Sequence, residues 1–294
     1  MLRLGIGITT FDRAGTLSRT LDSVARHTRT PHVVFVADDG SRDGTLALLR
    51  ERGVPHVTGP NRGVAWNKNR VLFYLHEVAG CDVVILMEDD TFPEADGWEE
   101  PWIRAAERFG HANFAGSWFA ERFIAGAGTP EDPILCADTS GQCISFSRRA
   151  LQSVGYMDTR FGRYGFEHCE HSERMRAAGF GGRLDPPVYF LIRSDLAVTC
   201  ADAPAADYTG ELEKNSRILM RIRQDRRCHR LPWSTLSEMR RFLGEMHRAV
   251  PYDVAMRRRL GRALAQASLR GAAEWLGQRT RSWPRGRDRQ QNAA

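Results

Sequence analysis

Five apolar residues in succession, Val83-Val84-Ile85-Leu86-Met87, run directly into three acids, Glu88-Asp89-Asp90. A run this short, with no polar alternation, reads as a strand buried on both faces, as in the interior of a parallel sheet. The segments before it fit the same plan. Leu4–Thr10 and His32–Ala37 have strand composition and Val54–Thr58 is a shorter candidate, with helical patterns over 14–27, 42–52 and 63–78. Leu17, Leu21 and Val24 fall at helical spacing in the first helix; Ser41 is expected to cap the second and Gly53 to close it. Alternation of this kind builds βαβ units, whose ligands gather at the carboxyl ends of the strands. The expected class is α/β, with a Rossmann-like, mostly parallel central sheet flanked by helices.

Farther along, the pattern predicts a helix at 98–109, a strand at 114–119, a Gly/Pro-rich loop at 120–139 and a strand at 142–146. Helices at 148–154 and 166–178 and a strand at 188–192 follow. From about 234 the chain reads as helix only: Thr235-Leu236-Ser237-Glu238 has capping-box spacing, ahead of the stripe Leu236, Met239, Leu243 and Met246. The expected organisation is a main domain over 1–215, split into 1–97 and 98–215. A basic helical extension at 216–281 and a disordered tail at 282–294 complete it. No window approaches the roughly 18–20 uninterrupted apolar residues of a membrane span. The N-terminus runs straight into a strand pattern, so no cleavable signal is expected. Six cysteines without a C-x-x-C pair argue against a zinc site or disulfide framework and fit a reducing cytoplasm.

Charge is unevenly spread. Residues 1–216 hold 23 Lys and Arg against 30 Asp and Glu, whereas 217–294 hold 19 Arg against 6 acids. An acidic body thus carries a strongly basic end.

Three carboxylates at a strand end repel one another unless a cation sits among them. Carboxylates together with substrate phosphate oxygens suit Mg²⁺ or Mn²⁺, and such an ion would act as a Lewis acid on a departing nucleoside diphosphate. An acidic turn that caps the next segment is the plainer account. Asp38-Asp39-Gly40-Ser41-Arg42-Asp43-Gly44-Thr45 is a second candidate. Its glycines allow close backbone approach and its carboxylates can accept hydrogen bonds from a base or ribose, although an ordinary strand-to-helix turn has the same chemistry. Trp98 and Trp102, at i,i+4, are expected in the core, and Trp118, at the mouth of the long loop, is the better candidate for stacking on an acceptor sugar.

In order, Ile8-Thr9-Thr10-Phe11-Asp12-Arg13, the Asp38–Thr45 segment, Asn61-Arg62-Gly63 with Lys68-Asn69, and Glu88-Asp89-Asp90 resemble the family 2 glycosyltransferases of the GT-A fold. Gly155-Tyr156-Met157-Asp158 and Gly165-Phe166-Glu167-His168-Cys169-Glu170 resemble that family's acceptor-side segment. The resemblance implies that Thr9, Thr10, Phe11, Arg13, Asp38 and Asp39 line the nucleotide pocket. It places Asn61, Lys68, Asn69, Glu88 and Asp89 around the donor, with Asp90 as direct metal ligand and Asp89 supporting it. Where the family has Glu-Asp, with a carboxylate as general base, this chain has Glu167-His168. Glu167, His168 and Glu170 are all candidates for the base. His168 and His171 also admit a metal-ligand role or a place on a solvated helix face.

The implied reaction is inverting transfer of a hexosyl or N-acetylhexosaminyl group from a nucleoside-diphosphate sugar to a glycan or glycolipid hydroxyl, in bacterial surface glycan synthesis. UDP is favoured over GDP or dTDP. A nucleotidyltransferase would want a Gly-rich phosphate loop near the first strand, and a dinucleotide-dependent oxidoreductase a G-x-G-x-x-G at the first helix; Gly5-x-Gly7 lies inside the strand instead. A degenerate glycan-binding relative is the non-enzymatic alternative. In the basic end, Met256, Leu260, Leu264, Ala267 and Trp275 alternate with Arg257, Arg258, Arg259, Arg262 and Arg270. Such a helix can lie on an anionic membrane, or it packs on the acidic body. No nucleic-acid module is present. The expected place is the cytoplasm, including the inner membrane face.

Overall fold

The computed structural model describes residues 2–198, 208–251, 253–277 and 281–282. In the first third, strands β1 (Leu4–Thr10), β2 (His32–Asp38), β3 (His56–Thr58) and β4 (Val83–Glu88) alternate with helices α1 (Ala14–His27), α2 (Thr45–Glu51) and α3 (Val64–Phe73). A π-helical turn, Tyr74–Val78, continues α3. β5 (Thr91–Pro93) and α4 (Glu100–Phe109) lead to β6 (His111–Phe114), β7 (Phe123–Ala125), β8 (Ile134–Cys136) and β9 (Cys143–Ser147). Helices α5 (Arg148–Val154) and α6 (Glu167–Ala177) precede β10 (Gly182–Leu184), β11 (Pro187–Ile192) and β12 (Leu196–Val198). The chain ends in α7 (Thr209–Asp225), β13 (Arg227–Cys228), α8 (Leu236–His247), α9 (Val254–Gly277) and β14 (Arg281–Ser282).

The main sheet has the order β3-β2-β1-β4-β9-β6-β11-β8-β7, with β10 on β11. β1 is parallel to both β2 and β4, and β2 to β3, so the first four strands form the expected parallel block. β9 runs against β4 and β6, and β8 and β10 run against β11; the other seven strands share one direction. Gly7 explains how closely α3 lies on this block. A Cβ there would collide with the Val71 side chain, so only glycine lets α3 settle directly on β1 and bring Lys68 to the strand ends.

Local expectations shift in five places. The strand expected at 114–119 is instead β6, which ends at Phe114, followed by a 3₁₀ turn over Ser117–Arg122. Ser41 does not cap α2, which begins at Thr45 behind Gly44; its hydroxyl instead accepts from the Asp12 N–H at 2.8 Å. The 120–139 loop holds the antiparallel pair β7 and β8. The capping box is half formed: Thr235 accepts from the Glu238 N–H, while the Glu238 carboxylate turns to the Ser234 N–H. α7 runs straight through the expected boundary at 215.

The basic end is not a free arm. Leu260, Ala263, Leu264 and Ala267 of α9 are buried in the largest core cluster, together with Phe242 and Met246 of α8, and Arg270 pairs with Glu77 of the π-helical turn. The apolar stripe that a membrane would have to receive is therefore covered by the body, while Arg257, Arg258 and Arg262 face outward. Trp275 and the stretch beyond Ser282 lie outside the residues whose side chains are described. Trp98 and Trp102 are core, as expected. The cysteines described are all free. Among the described residues, no helix is long and apolar enough to cross a membrane.

Candidate functional site

β1 and β4 run side by side with Thr9 opposite Glu88, so the residues just past their ends must meet. The Thr10 hydroxyl donates to Asp89 Oδ2 at 2.6 Å, and the Thr20 hydroxyl donates to the Asp89 carbonyl. One Arg13 nitrogen, Nη1, reaches both neighbouring carboxylates, 3.2 Å from Asp89 Oδ1 and 2.9 Å from Asp90 Oδ2. Burial pushes the Asp89 carboxyl up to about 7. Thr10 and Arg13 pull against that shift, and the charges of Asp90 and Glu88 add to it. Asp90 is raised as well, by burial and then by Glu88.

Asp90 Oδ1 is buried without a hydrogen-bond partner, which a native structure rarely tolerates unless the atom has another use. Among the described residues, no three His, Cys, Asp or Glu side chains converge to hold a metal by themselves. Two carboxylates with one bare oxygen nevertheless fit a hard divalent ion that completes its shell with water and substrate phosphates. Asp89 and Asp90 are the residues that would hold it.

Glu88 points the other way, toward Lys68. This lysine is fully buried on α3, and its ammonium donates to Glu88 Oε1 at 2.9 Å, to Glu167 Oε1 at 3.2 Å and to the Gly141 carbonyl at 3.1 Å. All three ammonium protons are thus used. Burial works against the charge, but the two carboxylates outweigh it and raise the lysine above its ordinary value. Glu167 is buried too, yet Lys68 and then His168 hold its carboxyl well below the usual range. His168 places Nδ1 3.2 Å from Glu167 and Nε2 3.4 Å from the Cys169 thiol. Burial opposes its proton, but Cys169 and Glu167 prevail and push the imidazole up to about 10.

Beyond this bridge lies a cavity of about 440 Å³, lined by Glu88, Glu167, His168, Trp118, Tyr164 and Arg223 among others. Glu88, Trp118, Glu167 and His168, picked from three separate parts of the sequence, thus line one cavity. Glu88 lines it from the position just before the Asp89–Asp90 pair.

The family model for glycosyl transferase family 2 matches residues 6–155. The chain belongs to this family. No curated protein matches this glycosyltransferase. Among solved structures, a mannosyltransferase from Pyrobaculum calidifontis, in complex with GDP-Man and Mn²⁺, aligns at 16% identity with a TM-score of 0.51. The alignment covers 94% of this chain and 75% of that one. GalNAc-T7 with UDP, GalNAc and Mn²⁺ aligns at 13% identity with a TM-score of 0.53, over 94% of this chain and 57% of that one. The glycosyltransferase therefore spans little more than half of the latter. Both neighbours carry the GT-A fold, which is the fold of this chain.

Several expected site residues of the glycosyltransferase face inward. Asp38 is fully buried and accepts from the backbone of Gly40 and Ser41 and from the Thr58 hydroxyl. Asp39 accepts from the N–H groups of Arg62 and Gly63 and from Arg70, so it shapes the 59–63 loop. Asn69 closes both ends of its amide on the Met157 backbone. Glu170 forms a two-point pair with Arg174, at 2.6 and 2.9 Å, both fully buried and away from the cavity. That geometry corrects its place among the candidate bases. His171 is likewise buried on the Gly155 carbonyl, so it sits on no solvated face, and neither histidine reaches Asp89 or Asp90. Phe11 is exposed beyond the end of β1 and Asn61 at the head of its loop.

Sequence reasoning missed Glu245. This α8 carboxylate accepts from Trp66 at 2.8 Å, from Arg70 at 2.8 and 3.1 Å and from Arg62 at 3.2 Å. It fastens the C-terminal extension to the loop that Asp39 shapes. The available signal was Asn67-Lys68-Asn69-Arg70, four polar residues in a row inside an otherwise apolar helix, which must find partners wherever the helix is buried.

Proposed function

We propose that this glycosyltransferase moves a hexosyl or N-acetylhexosaminyl group from a nucleoside-diphosphate sugar to a hydroxyl of a glycan or glycolipid, with inversion. The observation that carries the reading is Lys68, whose buried ammonium ties the acid run after β4 to the carboxylate that opens α6. The donor end and the acceptor cavity are thereby parts of one charged network. Asp89 and Asp90 would hold Mn²⁺ or Mg²⁺, which when bound would neutralise charge on the departing diphosphate. The Mn²⁺ complexes of the two structural neighbours support that choice, and their GDP-Man and UDP leave UDP, GDP and dTDP donors to be compared.

In the proposed step the acceptor oxygen forms a bond to the anomeric carbon while the bond from that carbon to the diphosphate breaks. The hydroxyl proton passes to Glu167. His168, with Nδ1 3.2 Å from the Glu167 carboxylate, is the second candidate for base. Trp118, half-exposed on the cavity rim, offers a ring face to an acceptor sugar. A role in bacterial surface glycan synthesis, in the cytoplasm or at the inner membrane face, accords with a glycolipid acceptor. Since Leu260, Leu264 and Ala267 of α9 are covered, membrane contact by the described part of this helix would rest on exposed arginines such as Arg257, Arg258 and Arg262. Their binding to phosphatidylglycerol vesicles should vanish at high salt.

The test is release of nucleoside diphosphate from UDP-, GDP- and dTDP-sugars with Mn²⁺. Release from at least one donor, lost in Asp90→Ala, supports the reading. If no donor is turned over and Asp90→Ala behaves identically, the transferase reading fails. The alternatives are then separated by pyrophosphate release from a nucleoside triphosphate, for a nucleotidyltransferase, and by glycan binding without turnover, for a degenerate relative.

A further inference from the structure

Arg13 Nη1 lies 3.2 Å from Asp89 Oδ1 and 2.9 Å from Asp90 Oδ2, while Asp89 Oδ2 accepts from Thr10. Asp90 Oδ1 has no hydrogen-bond partner, but a divalent ion drawing on both carboxylates would have to compete with the guanidinium for Asp89. Building on the metal-dependent reading above, we infer that Arg13 is an internal counter-ion, which yields the Asp89–Asp90 pair to the divalent ion and turns to the donor's diphosphate.

The surroundings are built for a side chain that moves while everything else stays. The backbone on either side of Arg13 is pinned. Asp12 takes a left-handed φ of 50°, a conformation that a non-glycine residue keeps only when its neighbours hold it. Here the Asp12 N–H donates to Ser41, the Asp12 carboxylate accepts from the Arg42 N–H at 2.6 Å, and the Ala14 N–H donates to Asp43 at 2.9 Å. Asp89 is held without help from Arg13, since Thr10 and Thr20 fix it at its side chain and its carbonyl. The guanidinium itself remains partly exposed, its side chain at 20%. Lys68, by contrast, is fully buried with all three protons committed, so it cannot make this exchange. Arginine suits the second half of the exchange, because its planar fork matches phosphate oxygens two at a time.

Such a swap couples the two ligands. An incoming ion must displace a charge-assisted contact, and a diphosphate repays that loss by giving the guanidinium a new partner. Nucleoside diphosphate and metal should therefore raise each other's affinity, and the coupling should depend on Arg13.

The experiment is Mn²⁺ titration by electron paramagnetic resonance, with and without UDP or GDP, on the wild-type protein and Arg13→Met. Direct chelation of Mn²⁺ by the free nucleotide is subtracted. The expected result is that Arg13→Met binds Mn²⁺ alone about fivefold or more tightly than wild type, while the gain in Mn²⁺ affinity from the nucleotide shrinks toward unity. Thermal melting checks that the variant is folded, and Arg13→Gln carries the same comparison if it is not. Equal or weaker Mn²⁺ binding by the variant overturns the inference, as does the lack of Mn²⁺ binding by either protein. A chain that releases nucleoside diphosphate yet fails this test loses only the Arg13 inference. One that passes it and turns over no donor loses only the transferase reading.

Discussion

The proposed donor side and the proposed acceptor side of this molecule use polar residues in opposite ways. On the donor side they sit at strand ends and just past them, in Thr9–Arg13, Asp38–Thr45 and Glu88–Asp90. On the acceptor side they sit in the body of α6, where Glu167, Glu170, His171, Ser172, Glu173 and Arg174 are all buried. A strand end can display a functional group while the strand behind it carries the packing. A helix wrapped on every side has no such division, so most of its polar residues must serve as structural ties. The lesson is that a polar run at a strand end can leave groups such as Arg13 and Asp90 partly free, although Asp38 and Asp39 turn inward, whereas one inside a buried helix is chiefly a guide to scaffolding.

The sharpest way to break that contrast is to compare two glutamates of the same helix, three residues apart. Glu167→Gln should lower nucleoside-diphosphate release by about 10²–10⁴, while nucleoside-diphosphate affinity, read by calorimetry, stays within a few-fold of wild type. Glu170→Ala should leave a buried Arg174 unpaired and cost about 3–5 kcal/mol of stability, measured by urea unfolding. If Glu170→Ala melted like wild type and lost only activity, the division between chemistry and scaffolding on α6 would collapse.

A pH measurement sharpens the same point deeper in the acceptor half. Burial holds the His111 imidazole at about 4, below its ordinary 6.5, between the Ser145 carbonyl and the Ser172 hydroxyl. Between those values the unfolded chain takes up a proton that the folded chain refuses. The stability present above 6.5 is therefore lost as pH falls toward 4, by on the order of 3 kcal/mol. His111→Gln should flatten that limb when unfolding free energies at about pH 7 and about pH 4.5 are compared. The smallest effect is local: Ser147→Ala removes the hydroxyl that accepts from the Ala150 N–H at the start of α5 and should cost about 1 kcal/mol. A loss as large as that of Glu170→Ala would mean that short-range caps matter here as much as long-range ties.

The same contrast explains what could be read from the sequence. The parallel block was legible because β4 is an unbroken apolar run and the helices around it keep their spacing. The acid triplet was legible because its residues are contiguous. The link from Lys68 to Glu167 was not, since it spans 99 positions, and only the close seating of α3 on Gly7 brings its two ends together. Asn69 and Glu170 mislead for a related reason. In a motif they stand beside functional residues, but Asn69 closes on the Met157 backbone and Glu170 on Arg174 in the core.

Glu245 carries a consequence for how such enzymes can be rebuilt. Its carboxylate belongs to the last third of the chain, yet it neutralises Arg70 beneath the loop that Asp39 shapes. A gene cut near codon 215, or a hybrid with the distal portion of another transferase grafted on, would leave Arg70 with Asp39 as its carboxylate partner and without Glu245. The distal helices are therefore poor units of exchange. Recombination that respects the family motif alone would still separate Glu245 from Arg62, Trp66 and Arg70.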